Sequence, residues 1–169
     1  MKTLVATALL VSLAAPALHA AEVSAQVENR EGDPLGTVTV RDTPSGVALA
    51  TLALEGLPEG DYAIHLHETG DCSADDFESA GGHVAGDREH GVLVEGGPHP
   101  GDMPNLTVRA DGIAQGDVFL PNLDVSRDLL DEDGAALVVH DGTDDYESQP
   151  SGDAGDRLAC GEFTEQAAE

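Results

Sequence analysis

Residues 22–67 read EVSAQVENREGDPLGTVTVRDTPSGVALATLALEGLPEGDYAIHLH, and the spacing of their apolar side chains decides the fold. Val23, Ala25 and Val27 alternate with polar residues, as do Val38 and Val40, then Leu49 to Leu54, then Tyr62 to Leu66. A period of two puts apolar side chains on one face of an extended chain, which is the signature of half-buried β-strands. Between the runs lie Glu31-Gly32-Asp33-Pro34, Pro44-Ser45-Gly46 and Pro58-Glu59-Gly60-Asp61, each composed of residues that favour tight reversals. The pattern resumes downstream in Leu106 to Arg109, an Asp111-Gly112 turn, Ile113 to Leu120 and Ala135 to Val139, with only Val125 to Asp131 suggesting a helical turn. Many short strands at this spacing predict an all-β single domain, a β-sandwich or flattened barrel.

The chain has 169 residues, 33 of them acidic and 7 basic, for a formal charge of −26. Such a surface repels phosphate backbones and anionic lipid heads, so neither nucleic acid nor a membrane surface is an expected partner. The 40% hydrophobic content, arranged in alternating runs, supplies the core that a disordered acidic tail lacks. Met1-Lys2, the apolar run Leu4 to Leu13 and the small residues from Ala14 to Ala21 have the form of a secretory leader, too short to span a membrane. Cleavage after Ala20 is expected, leaving residues 21–169 as the mature domain in the periplasm or outside the cell. Lys2 is the only lysine, so the exported chain is one unit more negative still. An excess of Asp and Glu without lysine fits either adaptation to high salt or an ordinary acidic exported protein. In an oxidising compartment the pair Cys72 and Cys160 normally becomes a disulfide.

Two segments break the strand pattern: Thr69 to Pro104 and Asp141 to Asp156, both rich in Gly, Asp and Pro. Loops this long in a compact domain are usually functional or disordered. Apart from His19 in the leader, the six histidines His65, His67, His83, His90, His99 and His140 all fall at strand ends or in these loops. In Ala63-Ile64-His65-Leu66-His67 the alternation sends both imidazoles to the same face, so this strand offers either half of a metal site or a pair of surface histidines. His83, His90, His99 and Asp102 make a set of three nitrogens and one oxygen suited to Zn²⁺, or else a solvated turn. His140, ending Leu137-Val138-Val139, reads alone as a core histidine held by a backbone carbonyl.

Taken in order, His65-x-His67-x-x-Gly70-x-Cys72, Gly82-His83, His99-x-Gly101-Asp102-Met103-Pro104-Asn105-Leu106, Val139-His140-Asp141 and Gly152-x-Ala154-Gly155-x-Arg157-x-Ala159-Cys160-Gly161 cover nearly all of the mature chain. This series resembles the copper/zinc superoxide dismutase family, and the short spacing from His67 to Cys72 resembles its bacterial, periplasmic branch. The resemblance implies an immunoglobulin-like Greek-key β-sandwich, or flattened eight-stranded barrel, with two long functional loops. It implies copper on His65, His67, His83 and His140, and zinc on His83, His90, His99 and Asp102, with His83 shared. Cys72 and Cys160 become the family's disulfide, and Arg157 lines the channel of the superoxide substrate. Arg157 and His83 are then the catalytic pair. The assembly is left open, a homodimer included.

The chain departs from that pattern at Phe163, where the family usually carries a β-branched aliphatic residue. The loop after His140, Asp141-Gly142-Thr143-Asp144-Asp145-Tyr146-Glu147, has none of the lysines that steer the anion in relatives. Two rival readings stay in view: a catalytically weak copper/zinc-binding protein on the same scaffold, and an acidic β-domain binding Ca²⁺ through carboxylates. The first predicts a missing ligand or arginine, and the second leaves six clustered histidines without a role.

Overall fold

A computed structural model describes residues 21–166; the expected leader, residues 1–20, lies outside the described residues. The alternating runs form strands β1 (Glu22–Asn29), β2 (Pro34–Arg41) and β3 (Ala48–Glu55), joined as antiparallel neighbours. Strand β4 (Gly60–Tyr62), β5 (Ile64–His67), β6 (Leu106–Val108), β7 (Ile113–Leu120), the single helical turn α1 (Val125–Asp128), β8 (Ala136–His140) and β9 (Arg157–Glu165) complete the chain. A seven-stranded antiparallel sheet runs in the order β5-β8-β9-β1-β2-β3-β7, and β4 pairs with β6 in a second, two-stranded sheet. The all-β expectation holds, with nine strands among the described residues where the flattened barrel of the resemblance has eight.

The extra strand arises because the run from Tyr62 to Leu66 is split. Tyr62 pairs with Leu106 in the small sheet, whereas Ile64 pairs with Val139 in the large one. Ala63 sits at the corner, its N–H donating to the carbonyl of Gly142 while its own carbonyl accepts from His140. Helix α1 ends earlier than the expected Asp131. Asp124 caps its start by accepting from the Arg127 N–H, but beyond Asp128 the side chain of Asp131 accepts from the Asp133 N–H, a local bond that competes with helix continuation.

Register follows the hydrophobic pattern. Val23 lies opposite Val40 and Ala25 opposite Val38, and all four are fully buried on one face of the sheet. Ile64, Leu66, Leu137 and Val139 extend that core, and Phe163 fills it from β9. The opposite face of β8 is covered too: Ala136 and Val138 pack with Phe77, Ala80 and Cys160 in a second cluster. The Thr69–Pro104 loop therefore folds over the outer face of β5 and β8 instead of extending into solvent, and the histidines sit beneath it.

Candidate metal centre

Strand β5 is buried on both faces, with Ile64 and Leu66 in the main core and His65 and His67 beneath the long loop. The reading of His65 and His67 as surface residues is thereby excluded. Backbone bonds stitch the loop down at this point: Leu66 donates to Gly101, Gly101 to Val84, and Val84 back to Leu66. A side chain at Gly101 would meet the Leu66 carbonyl at 2.6 Å, so only glycine lets the strands of this knot approach. The knot aligns His67 with His83 and His65 with Asp102 as bridge partners, and β8 brings in His140 beside Ala63. A bulge after Val139 sets His140 opposite Arg157.

All six histidines converge and none is more than 7% exposed. His65 and His83 stack with ring centroids 4.0 Å apart, and His140 lies 5.1 Å from His65 and 5.6 Å from His67. The ligand atoms of His65, His67, His83 and His140 lie within 4.8 Å of one another. On the other side of His83, Asp102 Oδ1 is approached by three ring nitrogens: Nδ1 of His83 at 3.1 Å, of His90 at 3.0 Å and of His99 at 3.2 Å. The other Asp102 oxygen accepts from the backbone N–H groups of Gly91 and His99.

The partners of the remaining nitrogens fix which atom each ring can offer. His67 Nδ1 is 3.0 Å from the Gly81 carbonyl and His140 Nδ1 3.3 Å from that of Gly155. His65 Nε2 lies 2.9 Å from Asp144. What is left is His65 Nδ1 and the Nε2 atoms of His67, His83 and His140, four buried nitrogens with no hydrogen-bond partner. Buried polar atoms are rarely left orphaned because desolvation is costly, and a cation shared among four neutral imidazole lone pairs satisfies all of them. This donor set suits copper, and the three-nitrogen, one-carboxylate set around Asp102 suits zinc.

Burial favours the neutral, ligand-competent form of His65, His67, His99 and His140. Burial pushes His65 down to about 4, against support from the Asp144 hydrogen bond, and it pushes His67 down to about 2 and His140 to about 4. His99 is lowered for the same reason, partly offset by Asp102. For Asp102 burial acts to raise the value, but the hydrogen bonds from His83 and the Gly91 N–H hold it well below the carboxylate range.

Asp144 carries a role that the sequence reading missed. Its carboxylate touches His65 Nε2 at 2.9 Å and His90 Nε2 at 3.0 Å, tying one ring of each cluster to the same side chain. Asn105 holds it in place through reciprocal bonds, Nδ2 to the Asp144 carbonyl and Oδ1 from the Asp144 N–H. Gly152, in the left-handed region at φ +72°, leaves room for it; a Cβ there would collide with the Asp144 carboxylate and His90. Gln149 likewise grips both the N–H and the carbonyl of His90. Arg157, at the edge of the site, donates to the Phe77 carbonyl at 2.7 Å and the Gly81 carbonyl at 2.8 Å. Cys72 and Cys160 are disulfide-bonded, joining the loop to β9.

Residues 35–163 match the family model described as copper/zinc superoxide dismutase (SODC). The chain is 43% identical to "Superoxide dismutase [Cu-Zn]" of Caulobacter vibrioides over 82% of this chain and 83% of that one. It is 39% identical to "Superoxide dismutase [Cu-Zn] 1" of Aquifex aeolicus over 81% and 84% respectively. Among solved structures, the Cu/Zn superoxide dismutase from Brucella abortus superposes with a TM-score of 0.69 at 29% identity, covering 85% of this chain and 99% of that one.

Proposed function

The chain belongs to the copper/zinc superoxide dismutase family, and from that premise we propose how its own residues divide the work of converting two superoxide anions and two protons to dioxygen and hydrogen peroxide. His65 Nδ1 and the Nε2 atoms of His67, His83 and His140 would hold copper; the Nδ1 atoms of His83, His90 and His99, with Asp102, would hold zinc. The observation that carries this division is the set of four orphaned nitrogens facing one way while three others face Asp102, with His83 the ring common to both. His65 lies close enough to His83, His90 and Asp102 to be grouped with them, but its Nε2 is committed to Asp144, so its Nδ1 belongs to the first set.

Copper supplies one-electron exchange with the substrate, and zinc a fixed positive charge. The protein supplies the rest. Arg157, pinned by two backbone carbonyls, presents a fixed cation at which the anion binds and is oriented. His83 Nε2 has no protein partner, so whenever its lone pair is not given to the metal it is the atom that would hold a proton and pass it to the reduced product. The Gly81 and Gly155 carbonyls keep the Nδ1–H tautomers of His67 and His140, and Asp144 keeps the rings of His65 and His90 in one arrangement.

Residues 1–20 act as an export leader and residues 21–169 work in the periplasm or outside the cell. The leader-like composition and the disulfide support this. Among the described residues no helix is long and apolar enough to cross a membrane.

The test is metal content by mass spectrometry, with superoxide decay, on the mature chain and on His83→Ala. Copper, zinc and turnover are expected in the parent, and loss of zinc retention and of turnover together in the variant, with the β-structure intact by circular dichroism. An unaltered rate in fully metallated His83→Ala would refute the shared-ligand assignment.

A further inference from the structure

We propose that Glu78 is a rate-determining counter-charge for Arg157, a carboxylate that competes with anions for the same guanidinium; this rests on Arg157 being the substrate-holding cation. The short 3-10 turn Glu78–Ala80 and its two flanking residues supply the hydrogen-bond and ion-pair partners of the Arg157 side chain. The carbonyl of Phe77 at its start and that of Gly81 at its end accept from Nη1 and Nη2. Between them the Glu78 carboxylate stands 3.3 Å from Nη2. The Arg157 side chain is only 12% exposed, whereas that of Glu78 is 67% exposed. An anion approaching from solvent therefore meets a guanidinium whose inner donors are spent on backbone and whose outer edge already has a carboxylate beside it.

The backbone of the turn is held independently of that carboxylate. The Glu78 N–H donates to Asp76 Oδ1 and the Gly81 N–H to the Glu78 carbonyl. The Glu78 side chain is thus not needed to build the clamp, and its effect on Arg157 is one of charge. Because the carboxylate is largely in solvent, its hold on Arg157 is weak and is screened by salt, unlike the two buried carbonyl bonds. The turn both fixes the anion-binding group and lowers its pull, and the lowering fades as ionic strength rises.

The experiment uses the copper- and zinc-loaded mature enzyme and azide as a probe anion, with binding followed by copper absorption and superoxide decay measured by stopped flow. Glu78→Gln should raise both azide affinity and the decay rate roughly two- to fivefold at 0.1 M salt, the range expected of an exposed ion pair, and the gain should vanish by 1 M. Asp117→Asn, which removes the same charge from β7 at the opposite edge of the sheet, should change neither. Arg157→Ala should lower both at every salt concentration. If Glu78→Gln leaves both unchanged while Arg157→Ala lowers them, Glu78 has no such role and the Arg157 reading stands. An equal gain in Asp117→Asn makes the effect one of net charge and overturns the proposal. Unchanged azide affinity and rate in Arg157→Ala overturns the Arg157 reading beneath it.

Discussion

Asp144 spans the two histidine clusters with one carboxylate, and it does so from a stretch that reads in the sequence as surface charge. Nothing separates it from Asp141 or Asp145 by composition; only burial against His65 and His90 does. The histidines were legible as an ordered set, through the resemblance; taken singly, His65 and His67 also fit a surface pair and His140 a core histidine, and only their joint burial separates those readings. Their burial has a consequence for pH. An unfolded chain takes up protons on its imidazoles below about pH 6.5, while His65 and His140 in the metal-free fold resist protonation until about pH 4 and His67 until about 2. The unfolded state binds more protons in that window, so stability rises with pH and is lost as pH falls. Asp102 and Asp144, held below the carboxylate range, add a loss of the same sign at lower pH. Between pH 7 and 5 the unfolding free energy of the metal-free protein should therefore fall by on the order of 2 kcal/mol for each such imidazole, and its urea midpoint with it. A midpoint flat or rising toward pH 5 would contradict the neutral, buried assignment.

At the scale of elements, the Thr69–Pro104 loop behaves as an added layer. It caps β5 and β8 with Phe77 and Ala80, carries His83, His90, His99 and Asp102, and orients Arg157 through Phe77 and Gly81. The Cys72–Cys160 bridge and the bond from the Cys72 N–H to Glu162 anchor it to β9. The crosslink spans 88 residues, a loop worth about 4 to 5 kcal/mol in the chain-entropy model. Reduction should lower the melting temperature and also turnover, since the carbonyls that aim Arg157 are released along with the loop. Free-thiol titration of the native protein, with melts and rates measured with and without reductant, tests this; two free thiols in the native form would sink it. Most strands were readable along the chain from alternation, but not their order in the sheet, nor the last strand β9. The break at Ala63 was not, because the apolar pattern runs straight through a residue where the chain changes sheets.

Across the whole molecule the charge is strongly negative while the substrate is an anion. The net charge repels superoxide at long range, and Arg157 with the bound cations attracts it at short range. Screening acts first on the long-range part, since the Debye length falls from about 10 Å at 0.1 M to about 3 Å at 1 M salt. The rate constant should hold or rise between 0.1 and 1 M NaCl, and stability should rise as carboxylate repulsion is screened. A steep monotonic fall with salt in pulse-radiolysis or stopped-flow decay would mean that a local positive channel dominates. The charge, the strand pattern and the ligand types are all properties of residue order: alternation and turn residues were enough to specify an all-β chain, and the ordered motifs, through their family resemblance, marked its loops as metal-binding. Which nitrogen of each ring is free, the bridge made by Asp144 and the carboxylate set beside Arg157 were decided only by the tertiary structure. Each depends on a contact between residues far apart in sequence: 79 positions for Asp144 with His65, and 76 for Arg157 with Gly81. Local pattern carries no information about such pairs until packing closes the loops over the sheet.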